Sequence, residues 1–378
     1  MLNSSITAKT TEENHGKKLT NTRNSSIELL RIISILFIII SHLCEHGAQS
    51  TELPLSFNKI FTEWGVLGNL GVDIFVIITG FFMCEKSFST KRLSTLFSQV
   101  WFYSILLAIV SVLAFGVNLS AKDIVNVLLP TIFSEYWFFT AYVILMLLSP
   151  FINLLIEHLD RSKFIHLLIC FLVLWVFIPT FTTSTMYRSP VLEFIMFYLI
   201  GAYFRKYPDN AFSKKKNRVL VLSICLGLLL SSNVVINLLT SQFDVLNQFS
   251  SHCCYFYSRS SVLIVGIAVA LVASAVYHRP FTNKLINEIA SCTFGIYLIH
   301  DNPFVRKVLW KEIFNIPELY KLSLFPIYAI GIVLIIFLCC CIIEYIRLKT
   351  IAKPMSNLTN IVIDKVYKKA SQLIKLKK

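Results

Sequence analysis

Charge is what this sequence most lacks. Asp, Glu, Lys and Arg make up 15% of its 378 residues, where a soluble domain carries about 25%. Together with 56% hydrophobic content and 31 phenylalanines, this deficit excludes an ordinary soluble domain and points to a membrane protein of many spans. Several signatures are also missing. There is no glycine-rich phosphate loop, no HExxH, no GxSxG and no internal repeat, which removes the readily recognised designs for nucleotide binding, zinc hydrolysis and serine hydrolysis. None of the 10 cysteines has zinc-ligand spacing, so no metal is expected and most read as small apolar packing residues. The adjacent Cys253 and Cys254 fall in an outer loop and read either as packing residues or as reactive thiols. Residues 1–24 lack a cleavable signal pattern and are expected to form a disordered cytoplasmic tail, with the first span inserting uncleaved.

What is present is a series of apolar runs of spanning length. Ten are expected: Ile27–Leu43, Val66–Cys84, Leu96–Val117, Trp137–Glu157, Phe164–Phe181, Val191–Phe204, Val219–Leu239, Phe256–Val276, Ile286–Val305 and Phe325–Ile346. The predicted fold class is therefore all-α and polytopic, with a transmembrane domain over residues 25–347. The stretch Asp123–Ser134 is apolar but short, and reads as re-entrant or interfacial. The net charge of +14 needs no nucleic acid as partner. With both termini in the cytoplasm, 26 of the 35 Lys and Arg lie on the inner side, which is the usual orientation bias of membrane proteins. The ninth segment is the exception, because its outer loop holds Arg306, Lys307, Lys311 and Lys321. Residues 348–378 form a basic tail in which Val362, Val366 and Leu373 fall near one helical face, as in an amphipathic helix on anionic membrane lipids; the competing reading is a disordered basic tail.

The informative residues are the polar groups inside the spans, since an ionisable side chain exposed to lipid costs at least ~2.5 kcal/mol. Arg31 and His42 are eleven residues apart in "SSIELLRIISILFIIISHL". At 100° and 1.5 Å per residue they share one helix face, about 16 Å apart along the axis. Arg31 then lies near the inner surface and His42 near the outer one. Glu28 and Glu45 continue the stripe. Asp73, entering from outside in the second span, falls at the depth of His42; it reads equally as an orienting partner for the imidazole and as a carboxylate favoured by a helix N-terminus. Trp137 and Tyr142 read as an aromatic belt or as acceptor contacts. Pro150 with Asn153 suggests a kink whose hydrogen bonds are repaired. His300 and Asp301 close the ninth span at the same outer level. Glu193 and Arg259 sit at outer span ends, either touching a polar acceptor or snorkelling. On the inner side Lys86, Lys91, Arg92, Arg205 and Lys206 surround the level of Arg31, where topology alone explains most of them and a phosphorylated cytoplasmic donor would also suit them.

The Arg31 to His42 spacing, "GNLGVDIFVIITGFF", "YWFFTAYVILMLLSPFIN", "FYLIGAYFRK" and "FGIYLIH" together resemble acyltransferase family 3, the integral-membrane O-acyltransferases of bacterial surface glycans. The resemblance implies a ten-helix core in the cell membrane, acyl-CoA taken from the cytoplasm, His42 as catalytic base, Arg31 as a donor contact, and a sugar hydroxyl as acceptor. Many members carry two arginines three apart before the third helix; here "STKRLSTLFSQVW" offers Lys91 and Arg92 instead.

The expected activity is O-acylation. Acetyl-CoA, or another short acyl-CoA, would donate to a surface glycan or a lipid-linked glycan precursor. His42 would act as base, helped by Asp73 or Glu45. Arg31, Lys91, Arg92 and Arg205 would hold the donor, and Trp137, Tyr142, Glu193, His300 and Asp301 the acceptor. A glycan flippase also has many spans and intramembrane charges; thiol release from acyl-CoA separates the two.

Overall fold

A computed structural model describes residues 23–48, 55–182 and 189–375. Among these residues every regular element is helical. In chain order they are α1 (Ser25–His46), α2 (Phe57–Gly65), α3 (Leu70–Met83), α4 (Thr90–Phe115), α5 (Ala121–Leu128), α6 (Trp137–His158), α7 (Arg161–Leu172), α8 (Ile178–Phe181), α9 (Pro190–Lys206), α10 (Lys215–Gln242), α11 (Val262–Val276), α12 (Lys284–Ser291), α13 (Thr293–His300), α14 (Pro303–Val308), α15 (Ile316–Leu319), α16 (Phe325–Thr350) and α17 (Ala352–Lys375). Eight helical stretches among the described residues are long and apolar enough to cross a membrane. They correspond to all the expected spans but the sixth and ninth. The sixth is α9, 17 residues long. The ninth is interrupted at Cys292, between α12 and α13, and again at Asp301–Asn302 before α14.

Polar residues set most helix starts. The side chains of Asn24, Ser56, Ser89, Asp160, Ser189 and Ser261 each accept from a backbone N–H of the following turn. That satisfies donors which the helix itself leaves open. Outside the spans, Ser120 and Asp123 form a reciprocal capping box that holds the Asp123 carboxyl below its ordinary range.

The bundle has an inner and an outer layer. Residues of α1, α3, α9, α11 and α13 pack on one another, with Ile39, Ile74, Ile77, Phe194, Phe197, Ala268 and Leu298 all fully buried. The outer layer carries large exposed apolar residues, such as Leu113, Phe151, Ile224, Leu228, Ile327 and Leu338. In water such a continuous apolar surface would be a liability; as a lipid-facing belt it is the expected exterior of a multi-pass membrane protein.

Close helix crossings use glycine. A Cβ on Gly80 of α3 would stand 2.0 Å from the Tyr198 carbonyl oxygen of α9, and one on Gly201 of α9 would stand 2.0 Å from that of Ile77. Gly68 and Gly71 meet the backbone of α1 at Phe37 and Ser34 in the same way. Small residues matter here because lipid provides no hydrophobic drive for helices to associate, so van der Waals contact has to hold them together.

A buried polar knot fixes α13. Glu344 of α16 is fully buried and accepts from Arg347 Nε and Nη2 at 2.7 Å each, from Tyr103 Oη at 2.6 Å and from Gln99 Nε2 at 3.0 Å. Gly295 lies directly against it, since a Cβ there would come within 2.3 Å of the Glu344 carboxyl carbon. Both oxygens of the buried carboxylate are thus satisfied, as burial demands, and α4, α13 and α16 are tied at one point. The sequence reading had not singled out this group.

Several expectations need correction. The second transmembrane stretch begins at Phe57 rather than Val66, through a helix, a 3₁₀ turn and a second helix. In the stretch Asp123–Ser134, which reads as re-entrant or interfacial, α5 doubles back along α4, so that Ser104 Oγ donates to the Val127 carbonyl and Trp101 Nε1 to that of Leu128. Pro150 sits inside an unbroken α6, and the carbonyl its ring leaves without a partner, that of Met146, accepts from Ser149 Oγ at 2.8 Å. Asn153 instead donates to the Met83 and Lys86 carbonyls and accepts from Tyr198 Oη, joining α6 to α3 and α9. Cys253 is buried, Cys254 half-buried, and neither forms a disulfide. The tail is helical as α17, which packs on α4 with Ser356 against Thr95 at 2.9 Å and Asn360 accepting from Ser94 at 3.3 Å. Residues 1–22 of the tail expected over 1–24, and the side chains of Val366 and Leu373, lie outside the described residues.

The crossing at Gly80 gives a direct test. Gly80→Ala forces backbone against backbone and is expected to lower the apparent melting temperature of the detergent-solubilised protein by several degrees. Gly227→Ala, where a Cβ meets nothing within 4 Å, is expected to leave it unchanged or raise it slightly, since alanine is the better helix former. Equal effects in thermal scans of the two variants would contradict the packing account.

Candidate active site

The polar stripe of α1 faces protein and not the bundle exterior. Arg31, Ile35, Ile38, Ser41, His42 and Glu45 line one cavity of roughly 410 Å³, shared with residues of α3, α4, α6, α13 and α14. That volume lies within the range of small-molecule sites, roughly 300–1,000 Å³. The cavity runs along the helix from Arg31 towards His42, so a single space connects the two levels. Eleven residues at 1.5 Å each separate them by about 16 Å.

At one end, Arg31 Nη1 lies 3.5 Å from Glu28 Oε2, and Glu28 in turn pairs with Arg23 at 3.4 Å. The guanidinium sits 5.8 Å from the Phe82 ring centre, and Lys86 Nζ lies 5.9 Å from that same centre. Arg31 Nε is buried without a hydrogen-bond partner among the described residues. The Glu28 pair therefore takes up only part of this donor set, and the remainder is available to an anion or carbonyl.

At the other end, His42 Nδ1 lies 3.0 Å from His300 Nε2 and 3.5 Å from Asp301 Oδ1. Asp301 also pairs with Arg306 Nη1 at 3.2 Å. The His46 ring stands 5.6 Å from that of His42, one helical turn further on. Glu45 accepts from Ser41 Oγ at 2.8 Å and Asn69 Nδ2 at 3.2 Å. Tyr297 borders the same space, and its hydroxyl is buried without a partner among the described residues. Trp137, Phe138, Tyr142 and Phe294 supply an aromatic wall. The arrangement combines a base-capable ring, hydrogen-bonding groups left open and an apolar passage, which together suit proton abstraction from a bound hydroxyl.

Sequence-predicted residues divide into two sets. Arg31, His42, Glu45, Trp137, Tyr142 and Asp301 meet in the cavity. His300 is within reach of His42 but is 1% exposed and is not among the residues that line the cavity; it was expected to touch an acceptor, and what it contacts instead is the His42 ring. Asp73 does not pair with His42. It is fully buried, neither oxygen has a hydrogen-bond partner among the described residues, and the charges it feels are those of Arg259 and Glu193. Glu193 pairs with Arg259 at 3.1 Å, and that guanidinium lies 4.5 Å from the centre of the Trp137 ring. These three form a buried charge cluster behind the aromatic wall. A shared level along neighbouring spans says nothing about which neighbour a helix turns towards.

The cations expected on the inner side also depart from expectation as donor contacts. Lys91 and Arg92 are exposed in the first turn of α4, where Arg92 Nη1 contacts Met83 Sδ at 3.1 Å. Arg205 is tied to Glu85 at 2.8 Å. None of the three lines the cavity; a separate pocket holds Lys86 and Lys206. Missed residues include Tyr297, His46 and Arg306. Arg306 had a visible signal, since it belongs to the one outer loop that breaks the charge bias. Tyr297 lies three residues before His300, on the same helix face. Among the described residues no group of His, Cys, Asp and Glu is placed to hold a metal ion.

A family model described as an acyltransferase domain matches residues 24–345. No curated protein and no solved structure matches the chain.

The buried cluster is expected to behave as a coupled unit. Arg259→Ala and Asp73→Asn should each lower the apparent melting temperature, while the double variant should be less destabilised than the two single changes added together. The coupling expected for charges in one buried network is on the order of 1–2 kcal/mol. Strict additivity in that cycle would show that the two side chains do not sense each other.

Proposed function

Because the chain belongs to acyltransferase family 3, we propose that it is a membrane O-acyltransferase which moves an acetyl or other short acyl group from cytoplasmic acyl-CoA to a sugar hydroxyl of an exported glycan. The observation that carries this reading is the single cavity joining Arg31 to His42. Donor and acceptor of such a reaction are found on opposite sides of a membrane, and a passage of this kind lets them meet without opening the bilayer.

In this reading the protein has ten crossings. They comprise the eight long helical stretches, the shorter α9, and the interrupted run from α12 to α14. Both termini face the cytoplasm, as the excess of Lys and Arg on that side favours, in a bacterial cell membrane. The arm of acyl-CoA enters at the Arg31 end. The nucleotide stays at the inner surface, among cations such as Lys86 and Lys206, which line a separate pocket. The sugar sits at the other end against Trp137 and Tyr142, where aromatic faces suit the apolar side of a pyranose ring.

The chemistry assigned to His42 is general base catalysis. Its imidazole takes the hydroxyl proton as the sugar oxygen attacks the thioester carbonyl. When the tetrahedral intermediate collapses, the C–S bond breaks and the departing thiolate receives that proton from the ring. Tyr297 lines the cavity, and its hydroxyl is the group this reading assigns to steadying the oxyanion. Arg306 and Asp301 set the field around the ring as it gains charge.

The test uses the purified full chain in detergent or liposomes, with acetyl-CoA and a glycan acceptor, and follows free thiol. The wild type is expected to release thiol in step with acceptor acylation. His42→Gln should reduce that rate by about 10²–10⁴-fold, the usual contribution of a general base, with unchanged yield and melting temperature. A near-normal rate in His42→Gln would refute the assignment. Glycan translocation without any thiol release would favour a flippase.

A further inference from the structure

A general base must present an unprotonated nitrogen to its substrate, and a histidine has two nitrogens that can exchange this role. Hydrogen bonding on the far side of the ring decides which is free. Three carboxylates lie near enough in sequence or depth to do this for His42, but only one approaches the ring. Glu45 is engaged by Ser41 and Asn69. Asp73 looks towards Arg259 and Glu193. Asp301 Oδ1 stands at 3.5 Å from His42 Nδ1, further than the 3.0 Å to His300 Nε2.

His300 is itself constrained. Its Nδ1 lies 2.6 Å from the backbone carbonyl oxygen of Ile296, one turn back in α13. A carbonyl oxygen only accepts, so that nitrogen carries the hydrogen. In a neutral imidazole the other nitrogen, Nε2, then holds a lone pair. The 3.0 Å contact is satisfied only if His42 Nδ1 donates. A neutral His42 with its hydrogen on Nδ1 has its own lone pair on Nε2, and that atom has no hydrogen-bond partner among the described residues.

We propose that His300 is the positioning residue which holds His42 in the Nδ1–H form, leaving Nε2 open to the cavity as the base. This rests on the reading of His42 as the base and goes further in naming what prepares it. Hydrogen bonds run in one direction, from His42 Nδ1–H to His300 Nε2 and from His300 Nδ1–H to the Ile296 carbonyl. His300 supplies an acceptor without adding charge. The one nearby carboxylate, Asp301, is matched by Arg306 and lies where it meets the imidazolium when His42 takes a proton. The other ionisable group facing the ring is His46. During the reaction only the Nε2 proton moves: it comes from the sugar hydroxyl as the C–O bond forms, and goes to the thiolate as the C–S bond breaks. The Nδ1 proton stays in place.

The local packing supports a dedicated role. His300 is 1% exposed and contributes nothing to the cavity wall, so contact with substrate does not account for it. Its helix is pinned by the Glu344 knot at Gly295, one residue before the carbonyl that orients the ring.

Three measurements on the purified full chain test the proposal. In protein labelled with ¹⁵N-histidine, the His42 resonance of the wild type is expected to show a protonated Nδ1 and an unprotonated Nε2; the reverse tautomer would overturn the proposal. His300→Leu is expected to lower kcat for thiol release by about 10–100-fold, as loss of an orienting partner does at metal-bound histidines, with KM for acetyl-CoA and acceptor held within about twofold. His300→Gln, whose side-chain oxygen also accepts from Nδ1–H, should restore most of that rate. An unchanged kcat in His300→Leu, or a raised acceptor KM with kcat intact, would sink the positioning role. Should His300→Leu fail to fold, the wild-type tautomer and the rate of His300→Gln still decide the matter. A wild type inert towards acyl-CoA, or a fully active His42→Gln, would instead refute the underlying assignment of the base.

Discussion

Lipid offers neither a hydrogen bond nor a counter-charge, and the first helix carries groups that need both. Arg31, Ser41, His42 and Glu45 share a stripe along α1, and every neighbour of that stripe is arranged to keep hydrocarbon away from it. Residues of α3, α4, α6, α13 and α14 line the rest of the space. The glycines of α3 bring its backbone against α1 and α9, so that the enclosing wall is tight on two sides. The cavity is therefore a consequence of solvation: a polar face in the middle of a membrane protein must be surrounded, and the space left between unlike side chains becomes a site.

The same logic explains how buried charge is handled elsewhere. Glu344 is completely enclosed and receives four hydrogen bonds from Arg347, Tyr103 and Gln99. Asp301 lies between His42 and Arg306. Glu193 and Asp73 share the field of Arg259, which also rests on Trp137. Each is a carboxylate kept at depth by a cation, and each joins helices far apart in the chain. These clusters do not make the bundle strongly stable in themselves, since the gain from a buried pair is largely offset by desolvation. Their effect is on arrangement: with one partner displaced, a charge would be left without compensation, so the helices have few alternative registers.

The interrupted ninth segment shows how a departure from regular structure is used. A continuous helix from Lys284 to Val308 would carry its residues past the site along one straight face. Instead the chain breaks at Cys292 and again at Asp301–Asn302, where the Asn302 side chain caps α14 by accepting from the Phe304 and Val305 amides. The second break turns Arg306 back towards Asp301. Irregular backbone at membrane depth is tolerated where protein surrounds it, and here it is His300 and Asp301, at that break, which reach His42.

Spans, their approximate ends and the shared face of Arg31 and His42 follow from the sequence by itself, because apolar runs of membrane length and the 100° turn of a helix are properties of the chain alone. So does the family, whose motifs are ordered along nearly the whole length. The partners of each polar group were decided only in the tertiary structure. Asp73 and His300 fall at the depth of His42 on equal terms in the sequence, yet one turns to Arg259 and the other to the imidazole. Lys91, Arg92 and Arg205 were expected at the donor end of the cavity, but none of them lines it. Depth is set by counting residues from a span's end; azimuth is set by which helices pack together and by how much each is rotated, and that depends on contacts between segments hundreds of residues apart.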